Sequence, residues 1–308
     1  MGILGYRRQS RNAVPAPIIG PPAPGIFAPL YNESAHQWSQ RSLRGFLVIL
    51  LYLVAAAAAL HAARRGSSRP VLREPSWYIA FAAVVAHAWW LADTMRPFGE
   101  AALGLADSAS LMGLAIGAGG TLALFAPRFR GAAAVVLILA ALLAAGTGNL
   151  PQAREIVPRG WPLAVHAVLA MGAAGMFTIA AVFVVLLALQ DSELRNKRPA
   201  GWLATLPPVE SLERALFSVI STGMASLTLA IVVGLLFVTD LFAQHLVHKV
   251  VLALVAWVIF ASLLFGRWRY GWRGRKAARY TIAGFVVLAI AYFGSKFVLE
   301  IMLGRHWG

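Results

Sequence analysis

The feature that most constrains this chain is its run of long apolar segments. Eight stretches, near residues 44–63, 77–95, 108–126, 132–149, 162–189, 213–239, 250–266 and 280–302, are built largely from Ala, Val, Leu, Ile, Gly and Phe. Several reach the roughly 20 residues that cross a bilayer as a helix. Backbone groups in lipid must be satisfied within the protein, which leaves helices or closed barrels. Barrel strands alternate lipid-facing and lumen-facing residues. These segments are longer and uniformly apolar, so the pattern predicts an all-α polytopic membrane protein of about eight transmembrane helices. The composition agrees: 59% of residues are hydrophobic and 13% charged, too little polar surface for a soluble domain of this size.

Charge is concentrated in short loops. The net charge of +15 would suggest nucleic acid in a soluble protein. Here the basic residues flank apolar runs, which is the topogenic pattern, so no nucleic-acid partner is expected and the bilayer is the expected surroundings. The loops after segments 1, 3, 5 and 7 are rich in Arg and Lys, the last holding Arg267, Arg269, Arg273, Arg275, Lys276 and Arg279, whereas the alternate loops hold few. The positive-inside rule places the rich loops in the cytoplasm and both termini outside. The last basic loop reads as a cytoplasmic anchor that also suits anionic lipid headgroups.

Residues 1–40 differ from the rest, being rich in Pro, Gly, Ser and Arg, and read as a disordered or non-native N-terminal tail. Residues 41–160 then hold segments 1 to 4 and residues 161–303 hold segments 5 to 8. Small residues at Gly113, Gly117, Gly172 and Gly175 would allow helices to approach closely. No internal repeat supports an inverted-repeat transporter.

The chain contains no Cys, which excludes thiolate ligands and an internal dithiol relay. Phosphate loops, dinucleotide-binding glycine motifs and His-Glu-x-x-His zinc motifs are also absent. The informative residues are histidines, because an ionisable group inside a membrane is costly. His87 falls near the middle of segment 2, His166 about one turn inside segment 5, and His248 at the start of segment 7. All three fall in the outer half of the membrane on the expected topology. Neutral imidazoles ligate haem iron from either side of the macrocycle, and two of these three would supply such a pair. The alternative is that each histidine bonds a neighbouring helix. Trp89 and Trp90 follow His87 and either join the interfacial aromatic belt or wall a flat ligand. Lys296 and Glu300 stand i, i+4 near the outer end of segment 8, where they would pair with each other or Lys296 would hold a haem propionate.

A family resemblance emerges over residues 161–300. Its carriers, in order, are Val165-His166, Ala188-Leu189-Gln190, the block Leu206-Pro207-Pro208-Val209-Glu210-Ser211-Leu212-Glu213-Arg214, His248-Lys249, Ala256-Trp257, the run from Gly266 to Arg275, and Ala291-Tyr292-Phe293-Gly294-Ser295-Lys296. This order resembles the cytochrome c assembly proteins of the CcsA/HemX type and, within them, the YpjD-type inner-membrane proteins. The resemblance implies a multi-pass protein of the bacterial inner membrane that binds or handles haem, with other cytochrome c assembly proteins as partners. It implies His166 and His248 as haem ligands; His87 is added on depth. The haem-transporting members carry a tryptophan-rich outer loop, whereas residues 240–249 here contain no Trp. That departure argues against a complete lyase. It keeps open a second reading, a membrane scaffold that retains the fold without the site.

Overall fold

A computed structural model of the chain describes residues 28–95, 105–145, 161–195, 201–237 and 247–294. Eight α-helices are present among them: α1 (Ala28–Arg64), α2 (Pro75–Met95), α3 (Leu105–Ala123), α4 (Arg130–Ala144), α5 (Trp161–Arg195), α6 (Val209–Phe237), α7 (Val247–Tyr270) and α8 (Gly274–Ala289). The described residues contain no strand. Each expected apolar segment therefore corresponds to one helix. α1 begins at Ala28, so residues 28–40 of the expected tail are helical. The Pro-rich run ends at Pro29, and proline is tolerated in a first helical turn, where its missing N–H would have had no partner.

Among the described residues, five stretches are long and apolar enough to cross a membrane: Leu43–Arg64, Pro127–Ala144, Ala164–Glu193, Val209–Phe237 and Lys249–Tyr270. The three remaining helices each bury polar groups inside the bundle. His87 of α2, Asp107 and Ser110 of α3, and Thr281 of α8 are all buried. Packing against neighbouring helices keeps such groups away from lipid.

α5 is the centre of the bundle and packs on α3, α6 and α8. Its Phe177 stacks on Phe260 of α7 with ring centroids 3.7 Å apart. The small residues act at helix contacts, as expected. A Cβ on Gly175 would lie 3.2 Å from the Met112 carbonyl of α3, and one on Gly113 would lie 3.3 Å from the Ala140 carbonyl of α4. Large apolar side chains such as Leu47, Leu50, Val54, Val251 and Val258 are exposed instead, as lipid-facing positions must be when lipid is the solvent.

The basic end of the bundle is tied by polar contacts. Arg130, the first residue of α4, is buried. Its guanidinium donates to the carbonyls of Ser67 and Arg69 and stands 3.5 Å from the Glu74 carboxylate. A buried charge is tolerated when it is both paired and hydrogen-bonded. Gln190 near the end of α5 donates to the Pro207 carbonyl at 3.0 Å, joining α5 to the turn before α6.

Candidate functional site

His87 and His166 lie in two separate environments. His87 lies on α2, in the buried interface of α1, α2 and α3. It is fully buried. Its Nδ1 is 3.2 Å from the Tyr52 hydroxyl of α1 and its Nε2 is 2.8 Å from Ser110 Oγ of α3. The tyrosine reaches it because Gly117 of α3 has no side chain; a Cβ there would collide with the Tyr52 ring and hydroxyl. Both imidazole nitrogens of His87 are thus engaged, and ligation of iron by this residue requires breaking one of these two bonds.

Trp89 and Trp90 part company. Trp90 is buried, lies against Gly45 of α1 and is tilted towards His87, with ring centroids 6.0 Å apart. Its indole Nε1 has no hydrogen-bond partner among the described residues. Trp89, 63% exposed, turns outward in the manner of a belt residue. Asp93, near the end of α2, is paired with Arg44 of α1.

His166 sits in the second turn of α5 and is half-buried. Its Nδ1 lies 2.8 Å from the Ala230 carbonyl of α6. A carbonyl can only accept, so Nδ1 carries the proton and Nε2 keeps its lone pair. Nε2 has no protein partner among the described residues. The contact depends on Gly234, one turn beyond Ala230: a Cβ there would stand 3.1 Å from His166 Cε1 and 3.2 Å from Nδ1. Around this point Ala170, Met171 and Ala230 form a small apolar cluster covered by Leu111, Leu169 and Tyr292. Tyr292 belongs to a π-helical segment (Ile290–Gly294) that continues α8, and its hydroxyl donates to the Ala170 carbonyl at 3.3 Å. A π segment of this kind breaks the regular i→i−4 ladder and occurs often at functional sites.

Helix register sets the depths of the three histidines. Trp257 of α7 donates to Thr228 of α6 at 3.0 Å. These helices are antiparallel, so His248 is level with Phe237, about 8 Å nearer the helix ends than His166. Between α3 and α5, Gly175 meets Ala115 and Gly119 meets Ile179, so these two helices run parallel. Ser110 is then level with residue 170 of α5, which places the hydrogen bond to His87 about 6 Å deeper than His166. The histidines are staggered rather than level. α3 also separates two of them: Ser110 bonds His87 on one side, while its neighbour Leu111 packs on the Ala170–Ala230 cluster on the other. His166 lies on the α5–α6 side of α3 and His87 on the other. His248 lies on the first turn of α7. Lys296 and Glu300 lie outside the described residues, as do residues 238–246 of the outer loop.

Sequence reasoning missed Tyr52, Ser110, Ala230 and Gly234. A tyrosine and a serine in apolar runs were available as signals, but nothing in one sequence pairs residues 35 and 23 positions away with His87. A backbone carbonyl leaves no sequence signal at all.

These observations define the class: a multi-pass, all-helical membrane protein with two histidines, His87 and His166, inside its bundle. Comparison with known proteins gives the family. The cytochrome c assembly protein family matches residues 104–303, and the chain belongs to it. The match includes α3 and α4 as well as the C-terminal helices that carried the resemblance. The chain is 37% identical over 138 residues to the inner membrane protein YpjD of Escherichia coli, covering 45% of this chain and 52% of that protein. It is 31% identical over 156 residues to a 28.8 kDa protein of Azospirillum brasilense, covering 50% of this chain and 57% of the relative. It is 33% identical over 112 residues to the cytochrome c biogenesis protein CcsA of Microcystis aeruginosa, covering 34% of each. The chain thus spans little more than half the length of the first two relatives. No solved structure matches it. The apolar helices and the likeness to YpjD make it a multi-pass protein of the bacterial inner membrane.

Proposed function

We propose that this protein binds haem at the end of the bundle opposite its basic turns and takes part in cytochrome c assembly, with His166 as one axial ligand and His248 as the other. The observation that carries the reading is the hydrogen bond from His166 Nδ1 to the Ala230 carbonyl. Histidines that ligate metals commonly donate their second ring N–H to a carbonyl or carboxylate, which fixes the tautomer, aims the lone pair and raises the basicity of the ligating nitrogen. His166 has this second bond, a half-buried setting and an Nε2 without a partner among the described residues. His248 is the candidate second ligand because it matches the family resemblance and its helix register puts it within about 8 Å of the depth of His166, and the absence of Cys leaves imidazole as the natural axial donor. Haem bound there would supply a redox-active iron and a flat apolar surface; the chain's part is to hold the imidazoles and exclude water. Ala170, Met171 and Ala230 offer the small apolar wall that a macrocycle edge requires, and Lys296 is the candidate partner for a propionate. His87, with both nitrogens engaged and Trp90 beside it, is a ligand only in a rearranged bundle. We therefore assign it a supporting role. Partnership with other cytochrome c assembly proteins follows from the same reading and from the name of the CcsA relative.

One observation favours a second reading, a scaffold without haem: residues 240–249 contain no Trp, and so lack the aromatic platform expected of a haem-presenting loop. An absorption spectrum of the full chain, produced with ample haem and purified in detergent, separates the two. A Soret band with bis-histidine character that is lost in His166→Ala supports the haem reading. Absence of a Soret band in the unaltered protein sinks it and leaves the scaffold.

A further inference from the structure

The turn between α7 and α8 is rigidly built, and its construction leaves cations and aromatics pointing outward together. Trp272 folds back over Gly266, whose missing Cβ leaves the room, and the Trp272 N–H donates to the Gly266 carbonyl at 3.2 Å. Gly271 and Gly274 take φ values of 64° and 54°, the left-handed backbone that glycine adopts at little cost. Lys276 Nζ sits 3.7 Å from the centroid of the Trp272 ring. Arg267 stacks 4.6 Å over Phe217 of α6.

Of the remaining cations, Arg269 lies 5.6 Å from the centroid of the Tyr270 ring beside it. Arg269, Arg273, Arg275 and Arg279 are exposed, and none forms an ion pair among the described residues. Residues 250–294 contain no Asp or Glu. The one carboxylate reaching the turn, Glu213, accepts from the Gly274 backbone N–H at 2.8 Å. Beside these arginines, Trp268 is 82% exposed and Tyr270 65% exposed, and both lie at the end of a membrane span that runs to Tyr270.

We infer that this turn is a binding site for the headgroup of an anionic phospholipid, with Arg269, Arg273 and Arg275 on the phosphate and Trp268 lodged at the interface beside the acyl chains. A topogenic signal needs only positive charge in the loop. It does not need the charges fixed by a folded turn, left without acidic partners and flanked by interfacial aromatics. Charge complementarity selects an anion, the helix ends place it at headgroup depth, and the exposed indole selects a lipid over a soluble anion, because tryptophan prefers the headgroup region.

The test uses the full chain in nanodiscs of phosphatidylcholine, with phosphatidylglycerol as the probe and occupancy read by native mass spectrometry together with thermal stability. Each basic residue near an anionic surface contributes about fivefold in binding, so R269Q/R273Q/R275Q should weaken phosphatidylglycerol retention by roughly 100-fold. W268A, which keeps every charge, should weaken it about threefold and reports on the site even if the triple variant inserts poorly. R64Q/R65Q alters a different basic turn and should leave retention unchanged. Equal losses in R64Q/R65Q and in the triple variant would reduce the effect to bulk charge and overturn the site. Stabilisation by inorganic phosphate equal to that by phosphatidylglycerol, or tight binding of nucleic acid at the same turn, would overturn the lipid assignment. No retention of phosphatidylglycerol by the unaltered protein would overturn the inference outright.

Discussion

His87 and His166 occupy the same kind of sequence, an apolar helix rich in alanine, and meet opposite fates. His87 is sealed where α1, α2 and α3 meet, with a hydroxyl on each ring nitrogen. His166 is half-buried against α6 with one nitrogen held by a backbone carbonyl and the other without a partner among the described residues. The first arrangement satisfies both ring nitrogens; the second satisfies one. The difference rests on small residues in neighbouring helices. Gly117 lets a tyrosine close over His87, and Gly234 lets His166 reach a helix backbone. An intramembrane histidine is therefore not by itself a ligand. What its second nitrogen touches decides the matter.

The sharpest break of this comparison is to exchange the two roles. His166→Ala should abolish the Soret band, whereas His87→Ala should leave haem per protein unchanged, both measured by pyridine haemochrome on the purified protein. Equal loss in the two variants would erase the distinction drawn here. Smaller but still large is Gly234→Val. The added side chain displaces the imidazole from the Ala230 carbonyl, and loss of a ligand's supporting hydrogen bond typically costs 10–100-fold in affinity. Haem titration of the apoprotein should show a drop of about that size with His166 intact; an unchanged affinity would mean that the Ala230 contact does not prepare the ligand.

His87→Ala sharpens the other side. It removes a packed ring and leaves two buried hydroxyls without their partner, a loss of about 2–4 kcal/mol. It should lower the apparent unfolding temperature in detergent by several degrees, and no shift would contradict a structural role. Tyr52→Phe is the mildest test. It deletes one intramembrane hydrogen bond while keeping the ring, and such bonds average about 0.6 kcal/mol. A barely lower unfolding temperature with full haem content is expected. A loss as large as that of His87→Ala would show that Tyr52 does more than cap a nitrogen.

Much of the fold was legible in advance because membrane proteins declare their elements through length and hydropathy. The eight apolar runs became eight helices, and the glycines at 113, 117 and 175 sit at helix contacts. The helix start at Ala28, inside the region that composition marked as a tail, was not legible. Residues 28–40 carry enough helix formers to extend α1, but local propensity is too weak a signal to override the neighbouring prolines in a reading of composition.

The sequence alone determined the solvent, the helices and the family, because each depends on local residue type or on ordered motifs. It also named the three histidines. Only the tertiary structure decided that His87 and His166 lie on different sides of α3, since helix register and facing depend on contacts between residues far apart in the chain. Thr228 against Trp257 sets the depth of His248 relative to His166, and Ser110 beside Leu111 turns one face of α3 to His87 and another to the α5–α6 cluster. The proton on His166 Nδ1 was likewise settled by a backbone carbonyl, a group that every residue carries and no sequence distinguishes.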